Sequence, residues 1–426
     1  MPQHFRLAAF YTSVIKQMVS VRFLFLIAIV SFLVSVVFIQ SAKKNDRLVQ
    51  EAIENISRDI RYIDVYRKPS KLSNDVKYIL LWTSHTYSPL YFLGNGQEAF
   101  VRNNCPVIDC YVTTDRTLFG GDVSRFDAIA FNGRNLKDYR RRSQLPLKRS
   151  MRQKYIFFNL ESSDNYPICS ARYDDYFNWT ATYKLNSDIP YPYLLIKNNK
   201  GEIVGPKVNM EWVEEYSTID DELADKLKSK TKAIAWFVSS CSVRSKRNKF
   251  VKIFRKALSH YRLDIDVYGK CGTFKCPIEK KEDCHKMLEK DYFFYLSMEN
   301  SFAEDYITEK VLTALQHNIV PILYGAANYT RFLPPGSYLD ARKQNVKSLA
   351  DIVARLIEYP NMYRDYFKWK RYYNYYDPTA KENVCAVCAA LHNKTMMETV
   401  TMYKTFRRWW YPPFKKRCSW YVDDDD

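Results

Sequence analysis

Apolar residues fall into one long run, then a polar gap, then a series of short clusters. Residues 23–39 form an uninterrupted run without charge, FLFLIAIVSFLVSVVFI, close to the roughly 20 residues a helix needs to cross a bilayer. Residues 40–75 are polar and charged, without a strong strand signal, and predict a stem. Short apolar runs then recur at 78–83, 110–114, 128–132 and 155–160. Polar segments separate them, which predicts an α/β domain whose helices are weakly marked. Residues 200–230 are rich in charge and contain the connection to a second series. That series has runs at 233–238 and 264–268, then a strand-helix-strand unit with strands at 292–298 and 319–324 and a helix over 304–317. Along this helix Ile307, Val311, Ala314 and Leu315 make the face that packs on a sheet. Residues 349–369 predict a further helix, and an aromatic, basic tail follows. The divisions are a short tail (1–22), an anchor (23–39), a stem (40–75), two α/β domains (76–225 and 226–365) and a C-terminal segment (366–426).

Composition agrees with two domains. A chain of 426 residues exceeds the size at which one core splits, and 34 Tyr and 25 Phe make its cores unusually aromatic. The run at 23–39 is longer than a signal-peptide core, and residues 38–42 make a poor cleavage site, so the segment reads as a retained span. Flanking charge barely orients it, with Arg6, Lys16 and Arg22 before it and Lys43, Lys44 and Arg47 after. The sequons at Asn55, Asn178, Asn328 and Asn393, and all ten cysteines, lie beyond the span, which places the body in an oxidising lumen. Disulfides are therefore favoured over metal sites, and Cys271, Cys276, Cys284 and His285 fit no standard zinc spacing. A net charge of +18, with basic stretches at 140–142, 148–154 and 415–417, supports a rival reading as a lumenal polyanion-binding protein. No nucleic-acid motif accompanies those stretches.

The strand-to-helix junction after residue 298 concentrates polar groups: Glu299, Asn300 and Ser301, then Asp305, Tyr306, Glu309 and Lys310. Singly, these read as a cap and a solvated ion pair. On one helix, Tyr306, Glu309 and Lys310 come together near the partly positive N-terminus, where a phosphate is held. A second constellation is the strand end at Ser239 and Ser240 followed by Arg247, which lies in line with the apolar stripe of Phe250, Val251, Phe254, Ala257 and Leu258. That alignment suits a guanidinium gripping a diphosphate. Tyr268 and Gly269 close the next strand, and Glu161 closes the strand at 155–160, where a carboxylate faces a cleft and can act as a base.

These strings, E-N-S at 299–301, D-Y-I-T-E-K at 305–310 and V-P at 320–321, resemble the donor-binding signature of the α1,3-fucosyltransferase family, and the resemblance runs over 78–388. It implies a GT-B-like α/β fold, two facing Rossmann-like domains behind an N-terminal transmembrane helix and stem, with a Golgi, type II layout. It implies GDP-fucose as donor, bound by Ser239, Arg247, Tyr268, Glu299, Asn300, Tyr306, Glu309 and Lys310, and a GlcNAc-containing glycan as acceptor. Glu161, in N-L-E-S, matches the proposed base, with Ser163 replacing the usual proline. Residues 177–180, Tyr183, 187–189 and Pro192-Tyr193 match a stretch of cleft architecture. The resemblance further implies that the C-terminal segment returns to the first domain, through a staple between the pair Cys105 and Cys110 and the pair Cys385 and Cys388, connectivity open. No metal is expected to be required: the D-x-D at Asp264 and Asp266 sits inside a strand, and the family strand it matches binds none. Whether the acceptor is an N-glycan core or antenna GlcNAc stays open.

Overall fold

A computed structural model describes residues 76–139, 141–378 and 381–419. The apolar run at 23–39, the stem at 40–75 and the sequon at Asn55 lie outside these residues. Among the described residues no helix is long and apolar enough to cross a membrane.

Two parallel sheets dominate. The first orders its strands β2-β1-β3-β4-β5-β6, with β1 Lys77–Leu81, β2 Cys110–Thr113, β3 Ala128–Asn132, β4 Lys154–Asn159, β5 Trp179–Thr182 and β6 Ile189–Pro190. The second, β10-β9-β11-β12-β13, uses β9 Lys232–Phe237, β10 Ile265–Tyr268, β11 Tyr292–Met298, β12 Val320–Tyr324 and β13 Leu339–Asp340. A small antiparallel sheet, in which β7 Leu195–Asn198 pairs with β8 Ile203–Gly205 and β14 Tyr373–Tyr376, joins the end of the first series to the chain beyond the second. In both large sheets the third strand pairs with the first on the side away from the second, so the connections diverge at one gap. Ligands bind at the carboxyl ends of strands beside such a switch point. The molecule is thus α/β and GT-B-like in its parallel sheets.

Covered faces explain why the strands read as apolar runs. Every residue of β4, KYIFFN, is buried, and all of β11 but one. In the second domain α1 Arg247–Leu258 buries Val251, Phe254 and Leu258, while α2 Lys281–Asp291 and α3 Glu309–Gln316 flank β11. The helix α4 Val346–Glu358 buries Leu349, Ala350, Val353 and Leu356, and the Asn345 side chain caps it by accepting from Ser348 N–H at 2.8 Å. The helical signal over 349–369 breaks at Tyr359 because Pro360 opens a separate helix, Pro360–Asp365.

The last part of the chain rejoins the first core through α5 Glu382–His392 and α6 Phe406–Trp410. Disulfides Cys105–Cys385 and Cys110–Cys388 provide the expected staple and fix its connectivity. Cys169–Cys418 fastens the tail again, and Cys241–Cys271 and Cys276–Cys284 tie loops of the second domain, so those cysteines are not thiolate ligands.

Candidate active site

The donor-side junction departs from the sequence reading in one respect that matters. The helix begins at Glu309, not near residue 304, because Asp305 adopts a left-handed φ of 56° and Thr308 is extended. Asp305 is anchored there: one carboxylate oxygen pairs with Arg331 at 2.9 Å and the other accepts from Leu185 N–H of the first domain. Tyr306 therefore leaves the helix altogether. It is buried against Tyr183 and Tyr193 of the first domain, with ring centroids at 5.0 and 6.3 Å.

Glu299, at the end of β11, is buried and turned inward. One of its oxygens accepts from Thr308 N–H at 3.0 Å and from the Thr308 hydroxyl at 2.9 Å, capping α3 in place of a local residue. The other lies 3.3 Å from the Lys310 amine, which also touches Glu309 at 3.2 Å and Thr308 Oγ1 at 2.7 Å. Burial opposes the charge on Lys310, but Glu299 and Glu309 more than offset it and hold the amine above the ordinary lysine range. Glu299 is thus a structural carboxylate rather than an open ligand group, and Glu309 is exposed.

Arg247 is held at the end of β11 for a visible reason: Ser245 bonds the strand end, its hydroxyl to Glu299 O at 2.7 Å and its N–H to Asn300 O at 2.9 Å. The guanidinium is buried and donates to Met298 O at 2.6 Å and Ser240 O at 3.2 Å, while its Nε has no hydrogen-bond partner. An anion here meets a cation already bonded to two carbonyls. Ser239 and Tyr268 line one small cavity of about 220 Å³ with Phe237, Val238 and Gly269. Gly269 is required there: at φ +98° a Cβ would stand 2.5 Å from the Val238 carbonyl oxygen. The Tyr268 hydroxyl points away, bonding Tyr292 at 2.8 Å, so only its ring contributes. Asp264 pairs with Arg255 at 2.6 Å and Asp266 accepts from Tyr292 at 2.5 Å, so both carboxylates of the D-x-D are committed.

Across the gap, Glu161 follows β4. Its N–H donates to Asn159 Oδ1 at 2.8 Å, and Tyr193 donates to Leu160 O. Two residues on, Ser163 donates its N–H to the Tyr183 hydroxyl at 2.9 Å, a bond that proline could not make. Two direct ties join this loop to the second domain. Ser301 donates to Ser162 Oγ at 2.6 Å, and Arg244 grips Asp164 with two bonds of 2.8 Å. Burial raises the Glu161 pKa, while Arg134 and Lys310 pull it down and Glu309 and Glu299 push it up. The carboxyl is therefore within electrostatic reach of the donor-side charges on Lys310, Glu309 and Glu299. Asn300 lines an opening of about 440 Å³ between the domains with Asn165 and Arg244.

Residues 227–409 match the model of glycosyltransferase family 10 (fucosyltransferase) C-term, and residues 74–194 match that of the fucosyltransferase N-terminal domain. Alpha-(1,3)-fucosyltransferase C of Drosophila melanogaster is 33% identical over 78% of this chain and 77% of its own length. The chain belongs to the α1,3-fucosyltransferase family. Glycoprotein 3-alpha-L-fucosyltransferase A of the same organism is 30% identical over 84% of this fucosyltransferase and 65% of its own length. A solved α1,3-fucosyltransferase with GDP-fucose superposes with a TM-score of 0.45 at 13% identity, covering 81% of this chain and 98% of that one.

Two further placements correct the sequence reading of this fucosyltransferase. Asn178 is buried: its amide donates to Thr401 O at 3.0 Å and its oxygen accepts from Tyr155 N–H at 2.8 Å, so it is no sugar acceptor in the folded enzyme. Asn328 is exposed, and Asn393 caps a short helix through Met396 N–H. The basic stretch 148–154 is internal at its end, since Lys154 is buried and donates to Thr399 O at 2.9 Å. Residues that sequence reasoning missed are Arg134, Asp164, Arg244 and Tyr411, whose hydroxyl donates to Asp164 at 2.7 Å. They are drawn from four separate parts of the chain, and no local motif marks them.

Proposed function

We propose that this enzyme transfers fucose from GDP-fucose to the 3-hydroxyl of a GlcNAc residue in glycoprotein glycans, with inversion, in the Golgi lumen from a single type II anchor at 23–39. The observation that carries the reading is the pair of facing loops: the one that bears Glu161 and the one that bears Asn300 are joined by the Ser162 to Ser301 hydrogen bond of 2.6 Å. Support for the chemistry comes from the relatives' names and from the burial that makes Glu161 a stronger base.

In this mechanism Glu161 takes the proton of the 3-hydroxyl as its oxygen attacks the fucose anomeric carbon from the face opposite the diphosphate. The bond between that carbon and the phosphate oxygen breaks, and GDP leaves with the electron pair. Arg247, Lys310 and Asn300 stabilise the departing charge, the part a metal plays in other transferases. Glu309, exposed and joined only loosely to Lys310, swings to the ribose hydroxyls and frees the amine for phosphate. The Ser239 and Tyr268 cavity receives part of the nucleotide.

The test is incubation of the full chain in detergent with GDP-fucose and defined glycans that separate core from antenna GlcNAc, with the product linkage read by NMR. Glu161→Gln should lower kcat by about 10²- to 10⁴-fold with GDP affinity unchanged. Near-wild-type turnover would remove Glu161 from its role, and a product of retained anomeric configuration would overturn the single displacement.

A further inference from the structure

Lys184 stands where three parts of the molecule meet, and the mechanism above does not use it. It follows β5, at the carboxyl end of the first sheet beside the strand that Glu161 follows, and its side chain is 2% exposed. An ammonium this deep needs partners, and it takes them from outside its own domain. It donates to Glu304 Oε2 of the second domain at 3.0 Å and to Trp409 O of the C-terminal segment at 2.9 Å, and it lies 5.1 Å from the centre of the Trp409 ring. The next residue repeats the pattern, because Leu185 N–H is the donor that holds Asp305.

Two consecutive residues of the first domain thus hold two consecutive residues of one donor-side loop. That loop runs from Asn300 to Lys310, two of the groups assigned above to the diphosphate. Its middle carries the carboxylates of Glu304 and Asp305, and Asp305 takes a left-handed φ of 56°, which a residue other than glycine keeps only where its surroundings enforce it. Arg331, from the second domain, pairs with Asp305 at 2.9 Å and lies 3.8 Å from Glu304. Two cations from opposite domains therefore neutralise two adjacent acids. Left unpaired, those acids would repel the diphosphate that the ends of the loop are to hold, and the turn that sets the start of α3 would have one anchor fewer.

We propose that Lys184 is a positioning residue for donor binding: acting through Glu304, it clasps the middle of the loop from the facing domain and so fixes the spacing of Asn300 and Lys310. The inference rests on the donor reading above and adds that GDP affinity depends on a first-domain side chain which acts through the loop rather than on the nucleotide.

The test is a double-variant cycle in the full chain in detergent, with GDP affinity read by calorimetry, kcat and KM for GDP-fucose by initial rates, and stability by thermal unfolding. Glu304→Ala should weaken GDP binding by roughly tenfold, the weight of one good charge-assisted contact, and raise the KM for GDP-fucose with kcat retained. The Glu304 side chain is half exposed, so this variant should unfold near the wild-type temperature. Lys184→Met should weaken GDP binding at least as much. Because the two residues act as a pair, the double variant should lose no more than Lys184→Met alone. Should the buried lysine variant not fold, Glu304→Ala decides alone, and wild-type GDP affinity in it would overturn the clasp. Losses that add in the double variant, or a loss confined to kcat, would overturn it as well. A wild type that binds no GDP would instead sink the parent reading.

Discussion

The two sides of the cleft are held in opposite ways. On the donor side, Glu299, Thr308 and Lys310 satisfy one another within a dozen residues of chain. On the base side, the Glu161 loop is fastened by Tyr193, by Arg244 and Ser301 of the other domain, and by Tyr411 of the tail. A charge cluster closed by neighbours is as strong as its own members, whereas a loop held from afar is as well placed as the packing of the whole molecule. Damage on the donor side should therefore appear as lost stability and donor affinity together. On the base side it should appear in kcat, with donor affinity kept.

Lys310→Ala gives the largest separation. It leaves Glu299 buried with only Thr308 as partner, and removing one member of such a pair costs about 3 to 5 kcal/mol. Thermal unfolding should show that loss, and calorimetry should show GDP binding abolished. Adding Glu299→Gln, which removes the stranded charge, should recover much of the stability and none of the affinity. A double variant that regained GDP binding would mean that Lys310 serves the fold alone.

That contrast also governs how much could be read from the chain. The strands β4 and β11 are buried on both faces, so their apolar runs were plain, and the donor junction was plain because its partners are close in sequence. The start of α3 was not. The i, i+4 pattern from Ile307 continues through an extended segment, and only the tertiary contacts of Asp305 with Arg331 and Leu185 reveal the break. Two-residue strands such as Ile189–Pro190 and Leu339–Asp340 are too short to carry a period. Asn178 read as a glycan acceptor because a sequon says nothing of burial, which here depends on a tail more than 200 residues away. The partners of Asp164 were invisible for the same reason.

Arg244→Ala tests the base side with a smaller effect. Asp164 keeps the Tyr411 hydroxyl and loses a two-pronged partner whose side chain is 42% exposed. The expected cost is about 1 to 2 kcal/mol. Turnover should fall at saturating acceptor while GDP affinity holds, and Arg244→Lys should recover only part of kcat, because an ammonium cannot reproduce the fork. Full recovery by lysine would reduce the pair to charge balance, and a parallel loss of GDP affinity would show that the two sides are not separable.

The finest discrimination is in pH. As a base, Glu161 must be deprotonated, so the acid limb of kcat/KM for GDP-fucose at saturating acceptor follows its pKa. Burial sets that pKa above the ordinary carboxylate value, and the positive charge of Arg134 holds it lower than burial alone would. Arg134→Gln withdraws that attraction. The protonated form then persists to higher pH, so the acid limb should move upward with GDP affinity unchanged, because Arg134 lies on the base side. Lys310 acts on Glu161 with the same sign from the other side, but its loss removes the donor too. Arg134 is therefore the residue that separates electrostatic tuning of the base from donor binding. An acid limb that stays in place would mean that the titrating group is not Glu161, and one that moves downward would mean that the variant exposes the carboxyl to water.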